Sequence, residues 1–394
     1  MQMNRIETLL QQYCPKGVEY LELGEVLNYQ QSNNYIVKST RYADNYLTPV
    51  LTAGQTFILG YTNELDGIYK ASKSKPVIIF DDFTTSFHWV DFDFKVKSSA
   101  MKILTPKNNK EIEFRFVFYA MNCLHYIPQD HARQWISVYS KFSIPIPPLP
   151  IQQEIVNILD KFTQLEAELE AELEARKVQY EYYRNDLFGF KGKDVEWKTF
   201  DEIGKFERGK RFVKSDIVSE GVPCIHYGEM YTHYRISAKE TRSFLRPDVA
   251  SRLRVAHPGD VIIVSAGETI EDLGNGVAWL GESNVVTHDA CFTFSHNQVP
   301  KYISYFLQTD LFRSQIKKYV SSGKISSINA SGLGKAKIPV PAINIQNDIV
   351  NVLDKFEDLI HCLSSGLPAE INARRKQYEY YREKLLTFKP LADG

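Results

Sequence analysis

Net charge is what this chain most conspicuously lacks: 47 Lys and Arg stand against 48 Asp and Glu in 394 residues. So balanced a protein is no general polyanion binder, and any nucleic-acid surface on it must be local. Cysteine is scarce too. Cys14, Cys123, Cys224, Cys291 and Cys362 are scattered without a CxxC or a Cys/His ligand spacing, which argues against a structural zinc and for a reducing compartment. No apolar core follows a basic start, and no hydrophobic run approaches the ~20 residues that cross a bilayer. A soluble cytoplasmic protein without a membrane partner is expected.

Motifs of catalysis are missing as well. An adenine methyltransferase carries an Asn- or Asp-Pro-Pro-aromatic loop around its flipped base; here Pro147-Pro148 follows Ile146 and sits in a linker. A phosphate-cradling loop needs an upstream glycine and a Ser or Thr after its lysine. Gly209-Lys210 has neither, and Gly323-Lys324 is followed by Ile325. No catalytic residue, metal site or cofactor of its own is therefore assigned to the chain.

What the chain does have is a repeat. IPIPPLPIQQEIVNILDKF (Ile144 to Phe162) and ARKVQYEYYRNDL (Ala175 to Leu187) return as IPVPAINIQNDIVNVLDKF (Ile338 to Phe356) and ARRKQYEYYREKL (Ala373 to Leu385). The front blocks are offset by 194 residues (Ile144 to Ile338) and the back blocks by 198 (Ala175 to Ala373), so the second copy holds four extra residues. Such periodicity decides the architecture before anything else. In the first copy Ile151, Ile155, Ile158, Phe162, Leu165, Leu169 and Leu173 recur in steps of three and four, one stripe along a helix. From Ile151 to Leu187 it would run about 55 Å at 1.5 Å per residue. A rod so long, apolar on one stripe, wants a partner, and the other copy supplies it. Ile155, Ile158, Phe162, Leu165 and Leu169 are the expected pairing residues of the first helix, and Ile349, Val352, Phe356 and Leu359 those of the second. A kink or break is expected where the second copy meets Gly366 and Pro368. The alternating glutamates Glu166 to Glu174 read as a solvated face.

Between the copies lie two stretches that mix strand patterns with helices. In the first, FILGYT, PVIIFDDF and FDFKVK read as strands and EFRFVFYAMNCL as a helix; in the second, PCIHYGEM, GDVIIVSAGE and ACFTFSH precede a helix PKYISYFLQTDLFRSQIKKYV. The organisation expected is α+β: a mixed α/β domain over 1–143 with a short helix at 4–13, a helix over 144–190, a second mixed domain over 191–337, and a helix over 338–394. Val18-Glu19-Tyr20 stands against Val195-Glu196-Trp197 after the first rod, so the chain starts partway through a repeat and its end is expected near its beginning. Glu196-Trp197-Lys198 superficially matches the acid-x-lysine of metal nucleases, but its counterpart Glu19-Tyr20-Leu21 lacks the lysine, which favours a structural role. The two frames match while the domains between them hardly do. This is expected when a frame sets geometry and each insert reads something different.

On the paired IPxP, IQQEIVNILDKF/IQNDIVNVLDKF and QYEYYR blocks, and on the alternation of unlike domain with repeated helix, the chain resembles the specificity subunit of type I DNA restriction-modification enzymes over nearly its whole length. That resemblance implies two target-recognition domains, each reading half of a split DNA sequence, and two helices forming an antiparallel coiled coil in a pseudo-two-fold repeat. It implies as partners double-stranded DNA, two methyltransferase subunits that bring S-adenosylmethionine to one adenine on each strand, and restriction subunits joined through them. The specificity partner of a two-part system with a fused nuclease-methyltransferase, and a coiled-coil scaffold binding proteins, are the alternative readings.

Candidate DNA-reading residues follow from chemistry. Arg208, Lys210, Arg211 and Lys214 surround Gly209, suited to phosphates or to guanine; a solvated basic turn is the bland alternative. His226, Tyr227, His233 and Arg235 interleave rings with hydrogen-bonding edges, or mark a strand end with exposed tyrosines. Ser322, Lys324, Ser326 and Asn329 form a loop rich in donors. In the first domain the candidates are Gln30, Gln31, Asn33, Asn34, Lys38 and Arg41, then Thr84, Thr85 and His88, then His131, Arg133 and Gln134 within DHARQW (Asp130 to Trp135). Gln and Asn pair with adenine in two places at once, though polar loops are more often only solvated.

Overall fold

The stretch expected to form a rod does so: Leu149–Leu187 is one unbroken helix of 39 residues, about 58 Å at 1.5 Å per residue. Its lone proline past the start, Pro150, lies in the first turn, where a missing N–H costs no hydrogen bond. The second copy divides into Ile343–His361 and Leu367–Leu386. The break falls just ahead of Pro368, which again occupies a first turn. A side chain at Gly366 would stand 2.5 Å from Asp358 O and 2.6 Å from Leu359 O, so the link closes against the helix end and admits only glycine. This computed structural model describes residues 2–52, 56–107, 111–129, 131–190, 192 and 194–391. Contacts divide the chain into two units, Met1–Glu168 with Ile371–Gly394, and Leu169–Glu370.

In the first unit a four-stranded antiparallel sheet runs in the order Leu27–Gln31, Met101–Pro106, Val77–Asp81, Phe87–Val90. Every residue of Val77–Asp81 is buried because both faces are covered. Ile78 and Phe80 join Leu104, Phe116 and Trp135 on one side, while Val77 and Ile79 join Val50's neighbour Leu51, Phe94 and Ile103 on the other; a doubly covered strand reads as a continuous apolar run. The EFRF segment is the helix Phe114–Met121, capped by Glu113. The segment 144–146, assigned with the rod from its prolines, instead belongs to the strand Ser143–Ile146 paired with Glu19–Glu22. The expected closure of the chain is present: Val18 N–H donates to Lys389 O (2.9 Å), Leu391 N–H donates to Val18 O (2.9 Å), and the Tyr20 hydroxyl donates to Phe388 O (2.9 Å). The start of the long helix packs here against Leu367–Leu386. Phe162 meets Tyr381 and Tyr378, and Glu166 pairs with Arg375; partner numbers fall as helix numbers rise, so the helices are antiparallel. Glu166 is thus no freely solvated charge.

In the second unit the sheet order is Gly204–Arg208, Cys291–His296, Val261–Val264, Gly276–Trp279, Ser237–Ala238, beside a second five-stranded sheet that carries Val222–Ile225 and Val285–Thr287. Residues 191 and 193, at the expected start of this domain, lie outside the described residues. The helix expected over PKYISYFLQTDLFRSQIKKYV is two, Pro300–Leu307 and Asp310–Ile316, because Thr309 stops one and caps the other through Phe312 N–H. Strand Trp197–Thr199 pairs with Lys337–Pro339, as Glu19–Glu22 pairs in the first unit. The end of the long helix packs on Ile343–His361, with Phe356 against Tyr180 and Tyr183. Ile349, Val350, Leu353 and Ile360 are buried there. Two expected pairing residues are corrected: Val352 and Leu359 are 40% and 37% exposed, since the stripe that meets the core runs one position later, through Leu353 and Ile360.

Each unit joins its domain to its rod through the same hydrogen-bonded clamp. Gln152, 1% exposed, accepts from Glu113 N–H (2.9 Å) and donates to Pro147 O (2.6 Å). Gln346, fully buried, accepts from Val299 N–H (3.0 Å) and donates to Pro341 O (2.9 Å). About two turns further along, Asp160 takes the Tyr119 hydroxyl and Arg115 Nε (2.9 Å), and Asp354 takes the Tyr305 hydroxyl (2.6 Å) and Lys301 Nζ (2.8 Å).

Candidate nucleic-acid interface

In the second unit, strand Gly204–Arg208 runs out into the basic turn. A side chain on Gly209 would lie 2.2 Å from His288 O, so the turn needs glycine to lie flat on the 287–290 loop. Two of its cations are spent on backbone carbonyls, Arg208 on Asp289 O (2.9 Å) and Lys210 on Arg252 O (3.0 Å). Arg211 and Lys214 stay exposed. Between them Phe212 turns inward, 3% exposed, and its ring meets His288 (4.9 Å) and His226 (5.9 Å). His226 and Tyr227 both lie against His288 (5.0 and 5.1 Å). Two of the expected segments therefore meet in one aromatic patch, and their junction is a residue that no local motif in the sequence marks.

His288 Nδ1 accepts Ala290 N–H (3.2 Å) and its Nε2 faces Phe212 O (3.2 Å), the pattern of a neutral ring. Burial lowers its pKa despite Asp289, and burial likewise lowers that of His226 despite Glu229. A neutral ring offers one donor and one acceptor. His288 spends both within the fold, while His226 spends its Nδ1 on Gly228 N–H (3.2 Å) and keeps its Nε2 to meet a base edge, and Arg211 and Lys214 nearby suit phosphates.

Other expected residues lie elsewhere. Arg235 pairs with Glu357 on the helix Ile343–His361 and shares a recess with His233, Asp272 and Gln308, so this pair stands apart from the His226 patch. Ser326 is 3% exposed in a strand paired with Ala266–Gly267. Asn329 spends its carbonyl oxygen capping the helix Ala330–Gly334 through Gly332 N–H (2.8 Å). Ser326 is thus not free to read a base, and Asn329, though exposed, keeps only its amide nitrogen for one. Ser322 and Lys324 remain exposed on the loop between, which is closed by paired bonds between Ser321 and Ser327 (2.9 Å each).

In the first unit the three expected segments converge on a buried ion pair. Asp82 holds Lys102 Nζ at 3.0 Å, with both side chains essentially unexposed. The other carboxylate oxygen of Asp82 accepts Trp135 N–H (2.8 Å), and its carbonyl accepts Gln134 N–H (2.8 Å). This ties the loop after Asp81 to the 131–135 segment, while Lys102 sits opposite Gln31 on the neighbouring strand. A buried charge is tolerated only when paired and bonded. Above it His131 stacks on Phe83 (4.7 Å), His88 stacks on Phe57 (4.0 Å), and Thr84, Arg133, Asn33, Asn34, Lys38 and Arg41 are exposed. Gln30 is exposed and bonded to Tyr35 (3.2 Å). Thr85 and Gln134 are corrected: 7% and 2% exposed, they support the loops from within. Thr85 has φ of 60°, rare for a β-branched residue, and Gln134 accepts the Tyr126 hydroxyl (2.8 Å). Asp130 lies outside the described residues. Among the described residues no group of His, Cys, Asp and Glu converges as a metal would require.

Paired unlike domains on duplicated helices define a class of two-headed recognition proteins, and comparison gives it a family. The model of the type I restriction modification DNA specificity domain matches residues 15–175 and again 192–373. The chain belongs to the specificity subunits of type I restriction-modification enzymes, which are DNA-recognition and not catalytic components. A type I restriction enzyme specificity subunit of Escherichia coli is 44% identical over 94% of each chain. A specificity subunit of Haemophilus influenzae described as putative is 30% identical over 94% of this chain and 96% of its own. Among solved structures, the S subunit from M. genitalium aligns over 94% of this chain and 96% of its own with a TM-score of 0.51 at 15% identity. A chain from a study of complex assembly in the type I system aligns over 94% and 98% with a TM-score of 0.60 at 16% identity. Both show the shared fold.

Proposed function

We propose that the chain reads a split double-stranded DNA sequence, one half with each unit, and carries two adenine-N6 methyltransferase subunits on its paired helices. Those partners bind S-adenosylmethionine and modify one adenine per strand, and restriction subunits join through them, in the cytoplasm. In the second unit the reading surface is Arg211, Lys214, His226, Tyr227 and the Ser322–Lys324 loop; in the first it is Thr84, His131, Arg133 and the Gln30–Arg41 segment. Phosphates would fix register on the exposed cations and base edges would be read by the rings and amides.

The observation that carries this reading is duplication of the mount without duplication of the head. The Gln152 and Gln346 clamps share the same two backbone bonds, Gln346 adding a third to Gln298 Oε1 (2.7 Å), yet the loops they support share neither length nor residues. Selection from random DNA by the chain with its methyltransferase is expected to recover two short sequences at one fixed separation. Recovery of no sequence would favour a protein-binding scaffold.

A further inference from the structure

We infer that the two clamps, Gln152 with Asp160 and Gln346 with Asp354, are positioning residues that hold the unread DNA between the half-sequences to one length; this rests on the split-target reading above. Apolar packing at the root of each rod is non-directional, so it tolerates small rotations. Hydrogen bonds are not so tolerant, because they weaken steeply as the donor angle closes. Each clamp takes its fixed points from both sides of the joint. The glutamine oxygen holds the backbone N–H of Glu113 or Val299 (2.9 and 3.0 Å), the residue that caps the start of the helix Phe114–Met121 or Pro300–Leu307, and its nitrogen holds the carbonyl of Pro147 or Pro341 (2.6 and 2.9 Å) at the foot of the rod. The aspartate, farther along the rod, takes a tyrosine hydroxyl from that same domain helix, Tyr119 or Tyr305. Two points along one rod fix an angle, where one would leave a pivot.

The lever makes that angle matter. Roughly 10° of play at the root of the 39-residue rod Leu149–Leu187, about 58 Å long, sweeps its far end through roughly 10 Å, about three base pairs of DNA. The same play at the root of Ile343–His361, about 28 Å long, sweeps roughly 5 Å, about one to two base pairs. The domains above the two clamps are unlike, while the clamps share the glutamine's two backbone bonds and the tyrosine hydroxyl on the aspartate, and differ in the cation beside it, Arg115 or Lys301, and in the added Gln346 bond to Gln298. This is expected if the clamps answer a shared demand of geometry and not the packing needs of either head.

The test uses the full chain with its methyltransferase, expressed in cells that lack other adenine methylation, with methylated adenines mapped genome-wide. The paired variants are Gln152→Met with Gln346→Met, similar in volume but without the amide, and Tyr119→Phe with Tyr305→Phe, which remove one hydroxyl per clamp. Both half-sequences are expected to keep their bases, while at least a tenth of modified sites move to a separation one or more base pairs from the wild-type value. If the methionine variants fail to assemble, the phenylalanine variants decide alone. A single separation retained by assembled, methylating variants would overturn the inference, as would a change in the bases read, which would place the clamp in the head and not the mount. A wild-type map without a split sequence would overturn the underlying reading, whatever the variants did.

Discussion

His288 shows what a residue contributes that its neighbours in sequence conceal. Thr287 to Ala290 carries no motif, and only the pairing of Cys291–His296 with Gly204–Arg208 brings the ring under the basic turn and beside His226. The basic turn itself was legible, because glycine among four cations is a local pattern; that two of those cations would bond to carbonyls was not, since the carbonyls come from distant segments. The surviving pair makes a direct prediction. Arg211→Ala and Lys214→Ala should each weaken DNA binding and lower the slope of log affinity against log salt by about one, with the recovered sequence unchanged; an altered sequence would mean that they read bases. His296 makes another. Burial drives its pKa down from 6.5 to about 4 against the pull of Asp260, and its Nδ1 accepts Gln298 N–H (3.1 Å), so the native ring is neutral. The unfolded chain takes up a proton first as pH falls, so this contribution is complete above pH 6.5 and is lost progressively toward pH 4. About 3 kcal/mol of the second unit's stability should disappear over that window, measured by denaturant unfolding at each pH, and His296→Gln should flatten the profile.

At the scale of the element, helical periodicity located both rods but misplaced part of one seam. An α-helix turns 3.6 residues at a time, so an apolar stripe read in strict heptads drifts by about 20° per repeat. Over Ile349 to Leu359 that drift is only about 30°, short of the roughly 100° between neighbouring positions, so the exchange of Val352 for Leu353 follows from which face the domain core covers, where Leu353 and Ile360 are buried. Leu353→Ala should therefore cost about 2–5 kcal/mol, whereas Val352→Ala and Leu359→Ala should stay within about 0.5–1 kcal/mol in thermal unfolding; equal losses would restore the original seam. Short strands were less legible than helices. Val255–Ala256 and Ser237–Ala238 have two residues each, too few for any period to show. Length of the rod is testable separately: matched helical turns inserted into Leu149–Leu187 and into its copy should lengthen the unread DNA, at 1.5 Å of helix per residue against about 3.4 Å per base pair. An unchanged separation would mean that the rod does not measure it.

For the molecule as a whole, the repeat was the most informative feature because it is a statement about the chain compared with itself. It foretold the paired frames, the pairing of the helices and the closing contact of Val18 with Lys389 and Leu391, none of which depends on knowing a single loop; their antiparallel sense came with the resemblance. The heads resisted reading for the same reason that they are useful: their side chains are set by long-range pairing, as when Asp82 and Lys102 gather three segments distant in sequence. The central claim is that two unlike readers on one duplicated mount recognise one divided DNA word, and a genome-wide map of methylated adenines made by this chain with its methyltransferase tests it most directly. Two short half-sequences at a constant separation, with one modified adenine on each strand, is the predicted result; modification confined to an uninterrupted sequence, or scattered without any, would contradict it.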